Sequence, residues 1–193
     1  MLKIIAAPNP ALSRQAKAVL KIDGFISKLI KDMEQALLLA KDPVGVGLAA
    51  PQVGKSLQIF IAKPTSKSSI QVFINPLIIE IHTDQKKDQR GSALKSAKIK
   101  SLTKLEGCLS LPNIWGEVKR NPTIKLQYQL ITNNHTLITK THTFSGFIAT
   151  IIQHEMDHLQ GILFPKRVLE QKGILYKSSK NEKGEDIFEE IEI

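Results

Sequence analysis

Apolar residues recur along this chain with two different periods, and the changes of period mark out its elements. Ile26, Leu29, Ile30, Met33, Ala36, Leu37 and Ala40 follow one another at helical spacing. An amphipathic helix is therefore expected over 24–40, started by Asp23 as N-cap and stopped at Asp42-Pro43. Strand patterning then takes over. Residues 57–63 read as a strand, 64–69 as a polar turn, and 72–74 and 77–81 as strand material kinked at Asn75-Pro76. A further strand is expected over 115–119. Residues 123–131 alternate through Ile124, Leu126, Tyr128 and Leu130, turn at Asn133-Asn134, and return over 136–144 as a hairpin. A second helix is expected over 146–160, capped by Ser145 and followed by Gly161. Phe147, Ile148, Ile151, Ile152 and Leu159 make it apolar over more of its surface than an outer helix needs, so it should be central and buried. The fold class is α+β, with antiparallel and mixed β-sheets wrapped around that helix and the 24–40 helix outside.

Other stretches lack either period. Residues 1–22 look irregular, turned at Pro8-Asn9-Pro10 and anchored by Leu12, Val19 and Leu20. Residues 82–104 hold seven bases against Asp84 and Asp88, with few apolar residues, and read as a long, solvated, mobile basic loop. Leu163-Phe164-Pro165 closes the core, and 166–180 read as a short basic element. The pattern gives a single domain over 1–180. The acidic tail at 181–193 reads equally as a frayed helix, an edge strand or a disordered end.

Composition narrows the class. The 193 residues are 42% hydrophobic, enough for one sizeable core, and no apolar run approaches the roughly 20 residues that span a membrane. Cys108 is the only cysteine, so no disulfide forms within the chain, which fits a reducing cytoplasmic setting. The net charge is +9, and the tail at 181–193 alone carries −5, leaving +14 on residues 1–180. That basic body suits approach to polyanions such as a ribosome surface. Aromatics make up only 5% of the chain and are not interleaved with bases, which argues against sequence-specific nucleic-acid reading.

The chemistry lies in His154-Glu155-Met156-Asp157-His158. Positions four apart share one helix face, so His154 and His158 can grip one metal ion, with Glu155 beside them in reach of a water. Catalytic metal sites usually have three protein ligands and an open position. Cys108, Asp157, His142, His135 and His82 are the candidates for the third, and a Cys-His-His set suits Fe²⁺, Zn²⁺, Ni²⁺ or Co²⁺. The long zinc-protease pattern is met through Gly161 but fails at Phe164, where a third histidine would stand. Gly45-Val46-Gly47 follows a helix and enters a strand, the reverse of a phosphate loop. It reads instead as exposed backbone on which an extended peptide can pair, with the Gln52 amide near the metal.

Three stretches together resemble peptide deformylase, in that family's order. They are the glycine stretch ending in Gln52, Glu106-Gly107-Cys108-Leu109-Ser110, and His154-Glu155-Met156-Asp157-His158, with Pro8-Asn9-Pro10-Ala11-Leu12 as a further match near the start. The resemblance implies a metallohydrolase that removes the formyl group from N-formyl-methionyl nascent peptides and releases formate. By the same resemblance Cys108, His154 and His158 hold one Fe²⁺ per chain, and Glu155 is the general base and then the acid. The Gln52 side chain and the Leu109 backbone N–H form the oxyanion hole. Gly47 pairs with the substrate backbone, Gly107 allows close approach beside Cys108, and Val46, Phe147 and Ile151 line the methionine pocket.

The chain departs from the family pattern in places. Leu105 stands where many members have an acid, Trp115 where many have an arginine near the substrate entrance, and the basic loop is longer than usual. The acidic tail is unlike the basic C-terminal helix by which some members dock on ribosomes. Two alternatives remain at this stage: an H-E-x-x-H metalloprotease, and a non-catalytic ribosome-associated homologue.

Overall fold

A computed structural model of the chain describes residues 2–41, 43–82 and 104–192. The expected basic loop therefore falls, from 83 to 103, outside the described residues, as does Asp42. Nine strands form two antiparallel sheets among the described residues. The first has the order β1 (Gly47–Ala49), β2 (Ile59–Ala62), β3 (Gln71–His82), β6 (Thr123–Ile131), β7 (Leu137–Ser145). The second has the order β4 (Lys104–Cys108), β5 (Leu111–Val118), β8 (Leu175–Lys180), β9 (Asp186–Glu190). Three α-helices complete it among the described residues: α1 (Gly24–Leu39), α2 (Phe147–Leu159) and α3 (Phe164–Glu170). None is long and apolar enough to cross a membrane.

The first sheet is buried on both faces at its β1–β2 end, and the alternation of side chains sorts them between two cores. Leu48, Ile59, Ile61 and Ile74 face α1 and pack on Met33 and Leu37. Ala49, Phe60, Ala62 and Phe73 point the other way and pack with Ile124 and Leu126 against Ile151 and Ile152 of α2. This is why β1 and β2 read as continuous apolar runs rather than as alternating strands. Phe60 and Phe73 stack at 4.7 Å between centroids. A third cluster, Cys108, Val118, Phe164, Val168 and Leu175, joins the second sheet to α3.

Helix α1 starts as its sequence predicts, with the Asp23 side chain accepting from the Ile26 N–H at 2.9 Å. It ends one turn short of Pro43, where the Ala40 N–H closes on Leu37 O. Helix α2 differs at its start. Ser145 is the last residue of β7, and its hydroxyl lies 3.0 Å from that of Thr123. The cap position is Gly146, at φ 70 and ψ −140, a conformation open to glycine and closed to serine.

Two stretches that the sequence marks as kinked or leaves open make connections. The kink expected at Asn75-Pro76 is a bulge within one continuous strand, β3. Asn75 sits at φ 47 in a bulge, where its side chain accepts from Val19 N at 2.8 Å and donates to Val19 O at 2.7 Å. The bulge thus fastens the N-terminal segment to the sheet. At the other end, the acidic stretch holds a strand. β9 pairs with β8 so that Lys180 faces Asp186 and Lys177 faces Glu189, with Lys180 Nζ 2.9 Å from Asp186 Oδ1. Opposite charges meeting across the ladder favour this pairing.

Candidate metal centre

α2 brings His154 and His158 onto one face, one turn apart, and β4 delivers Cys108 to the same place. The ligand atoms of Cys108, His154 and His158 all lie within 4.8 Å of one another, and Cys108 Sγ is 3.2 Å from His158 Nε2. The other candidates for a third ligand stay away. Asp157 turns to Arg120 and Arg167 at 2.7 Å each. His82, His135 and His142 are exposed on the first sheet and its hairpin turn.

The N-terminal segment explains how distant stretches meet. Ile5 N donates to Gln52 O and Ala7 N to Ser110 O, both at 2.9 Å, so one short extended segment ties the Gln52 turn to the turn after Cys108. The Gln52 amide is then fixed at both ends. Its Oε1 accepts from Ala49 N at 2.8 Å, which turns Nε2 toward Ser110 Oγ at 3.2 Å and Cys108 Sγ at 3.4 Å. Leu109 lies in the two-residue turn between β4 and β5 and lines the same cavity.

Behind the donors lies a buried charge network that the sequence did not single out. His154 Nδ1 bonds to Glu106 Oε2 at 3.0 Å, leaving Nε2 for the cluster. Arg120 clamps Glu106 with two bonds, at 2.8 and 2.9 Å, and reaches Asp157 at 2.7 Å. Phe164 stacks on the His154 ring at 6.2 Å. Burial alone would raise the Glu106 pKa, but hydrogen bonds from Arg120 and His154 outweigh it and hold the carboxyl at about 2.

The donor set fits a divalent cation. Burial pushes the His158 pKa well below its usual value, with the charges on His154 and Arg120 adding to the effect, so its imidazole is neutral and able to coordinate. At His154 burial works downward, yet bonds to Cys108 and Glu106 raise the pKa well above normal, so the local field favours positive charge there. Glu155 is buried, and its Oε2 finds no hydrogen-bond partner among the described residues. Burial lifts its pKa to about 7, the charge on His154 pulling it down and that on Glu106 pushing it up. Gly47 has no side chain because a Cβ there would fall on the Glu155 carboxylate and 2.9 Å from Ile151 Cγ2. These groups end a cavity of about 340 Å³ whose apolar walls include Val46, Phe147 and Ile151, with Gly107 beside Cys108.

The family model for polypeptide deformylase matches residues 1–173. The chain belongs to the polypeptide deformylase family. Peptide deformylase 1 of Bacillus cereus is 38% identical to it over 168 residues, covering 87% of this chain and 92% of that one. The peptide deformylase of Desulfotalea psychrophila is 35% identical over 181 residues, covering 92% and 93%. Among solved structures, the peptide deformylase of Synechococcus elongatus in complex with actinonin matches with a TM-score of 0.69 at 32% identity, covering 86% of this chain and 78% of that one. That of Thermotoga maritima matches with a TM-score of 0.66 at 32% identity, covering 87% and 97%. This deformylase-family chain is thus a hydrolase with the α+β fold of its relatives, and the cluster of Cys108, His154 and His158 is its candidate metal site.

The sequence reading missed Arg120, which stands in a basic stretch with nothing local to set it apart. Its partners lie 14 and 37 residues away.

Proposed function

We propose that this enzyme removes the formyl group from the N-terminal formyl-methionine of newly made polypeptides and releases formate. One observation carries the reading: a buried carboxyl with a free oxygen, Glu155, stands beside a Cys-His-His donor set at the closed end of an apolar cavity. Cys108, His154 and His158 would hold one divalent cation, Fe²⁺ in the working enzyme and Zn²⁺, Ni²⁺ or Co²⁺ as substitutes. Such a cation supplies Lewis acidity and makes hydrolysis by water feasible near neutral pH.

The chain's own residues do the rest. Glu155 takes a proton from the attacking water at its unpartnered Oε2 and returns it to the departing amine. A pKa of about 7 suits both transfers. Gln52 Nε2, 3.4 Å from Cys108 Sγ, and the Leu109 backbone N–H donate to the oxygen that gains charge as the formyl carbon is attacked. Loss of one such donor costs about 3–4 kcal/mol of barrier. Gly47 offers backbone to an extended substrate, and Val46, Phe147 and Ile151 receive the methionine side chain. A formyl carbon carries only hydrogen, so a tight fit of this end of the cavity, lined by Gln52, Gly107 and Glu155, would exclude bulkier acyl groups such as acetyl. The same reading places the enzyme in the cytoplasm, where nascent chains emerge, and gives the +14 charge of residues 1–180 a use in approaching the ribosome.

The Phe164 side chain, stacked on His154 rather than ligating, supports this reading over a metalloprotease. Formate release from a formyl-Met peptide, assayed anaerobically with Fe²⁺ and separately with Ni²⁺, is expected in both. No release with either metal would overturn the proposal.

A further inference from the structure

Gly107 and Trp115 are register partners across β4 and β5. A Cβ on Gly107 would lie 2.8 Å from Trp115 Cζ3 and 2.9 Å from Cε3, so the indole lies against the backbone of the residue before Cys108. The indole is also held by β8 and β9. Trp115 Nε1 donates to Ser178 Oγ on β8 at 3.1 Å, and Phe188 on β9 meets the ring edge-on at 5.9 Å and 81°. Ser178 and Phe188 are themselves paired across β8 and β9. Both strands lie beyond residue 173, where the family match ends.

Trp115 also lines the cavity, together with Leu105 and Val44, which are 43% and 72% exposed. These three form an apolar mouth, whereas Gln52, Cys108 and Glu155 form the reacting end. A peptide whose formyl-methionine fills the inner end must pass its next residue through that mouth. The face of an indole attracts apolar groups and cations and disfavours a carboxylate, because its π-cloud is negative.

Resting on the deformylase reading, we propose that Trp115 is the specificity wall for the residue after methionine, and that the 175–190 hairpin positions it through Ser178 and Phe188. The wall selects a large apolar side chain over an acidic one.

The test compares kcat and KM of the nickel-loaded enzyme on formyl-Met-Leu and formyl-Met-Asp peptides, in the wild type, Trp115→Ala and Phe188→Ala. The Leu-to-Asp ratio of kcat/KM does not depend on how much of a variant is folded. In the wild type the ratio should be roughly tenfold or more and reside in KM. It should fall to within about threefold in Trp115→Ala and move the same way in Phe188→Ala. Trp115 is the only tryptophan in the chain, so its emission reports the wall directly. Peptide binding should shift the wild-type emission, and Phe188→Ala should move it to the red. A wild type that turns over both peptides equally, or a ratio unchanged in Trp115→Ala, overturns the role of Trp115 and leaves the deformylase reading standing. A wild-type ratio with unshifted emission in Phe188→Ala overturns the role of the hairpin. A wild type silent on both peptides overturns the deformylase reading, and this inference with it.

Discussion

His154 donates through Nδ1 to Glu106 Oε2 at 3.0 Å, so a carboxylate from β4 sets which nitrogen a helix residue turns toward Cys108. Such outer carboxylates fix ring orientation and raise ligand basicity. Glu106→Gln should therefore weaken cation binding by about 10–100-fold. A competition titration against a chelator measures this, and wild-type affinity would remove Glu106 from that role.

Arg120 joins the site to the core. Its side chain is 9% exposed, between Glu106 at 6% and Asp157 at 8%. Arg120→Met would leave the Glu106 carboxylate buried without its main partner, and Asp157 held by Arg167 alone, and should lower stability by about 3–5 kcal/mol in urea unfolding. The pH dependence has a definite sign. Glu106 is depressed from 4.5 to about 2, so its contribution is complete above pH 4.5 and is lost as pH falls toward 2. The wild type should lose stability over that window, and Arg120→Met should lose less there.

Gly47 is a steric requirement. The atoms nearest to a Cβ there belong to the Glu155 carboxylate and to Ile151, and not to Cys108, His154 or His158. Gly47→Ala should retain its cation, by metal analysis, and lose turnover by about a hundredfold or more, the scale of general acid–base catalysis. Near-normal turnover would show that Glu155 has room to spare.

Glu155 costs stability. Its pKa is raised from 4.5 to about 7, so its penalty is absent below pH 4.5 and grows as pH rises through 7. In metal-stripped protein, Glu155→Gln should be more stable than wild type by about 1–3 kcal/mol at pH 8, and the gain should vanish at pH 4. Denaturant unfolding at the two pH values checks both signs.

What the sequence made legible was whatever is local. His154, Glu155 and His158 are written close together on one helix, and α1 is written in six apolar positions from Ile26 to Leu37. Cys108 could be chosen from five candidates only through resemblance, because nothing within its own stretch says that β4 ends beside α2. The acidic tail carried a signal that was not used: a basic stretch followed by an acidic one is what a charge-paired hairpin of β8 and β9 looks like. The kink expected at Asn75-Pro76 is present as a bulge, but its partner, Val19, is 56 residues away and leaves no local sign. The capping of α2 was misplaced by one residue, since only φ shows that Gly146 and not Ser145 takes the cap. Arg120 was invisible for the same reason as Val19: its meaning lies in distant partners.

The central claim is that Cys108, His154 and His158 hold a cation and that Glu155 beside them moves the proton from the attacking water to the departing amine. It is tested most directly by measuring metal content and formate release on the same anaerobic preparations of wild type and Glu155→Ala. The account predicts one cation per chain in both, and formate from a formyl-Met peptide only in the wild type. Wild-type formate release by Glu155→Ala would contradict it.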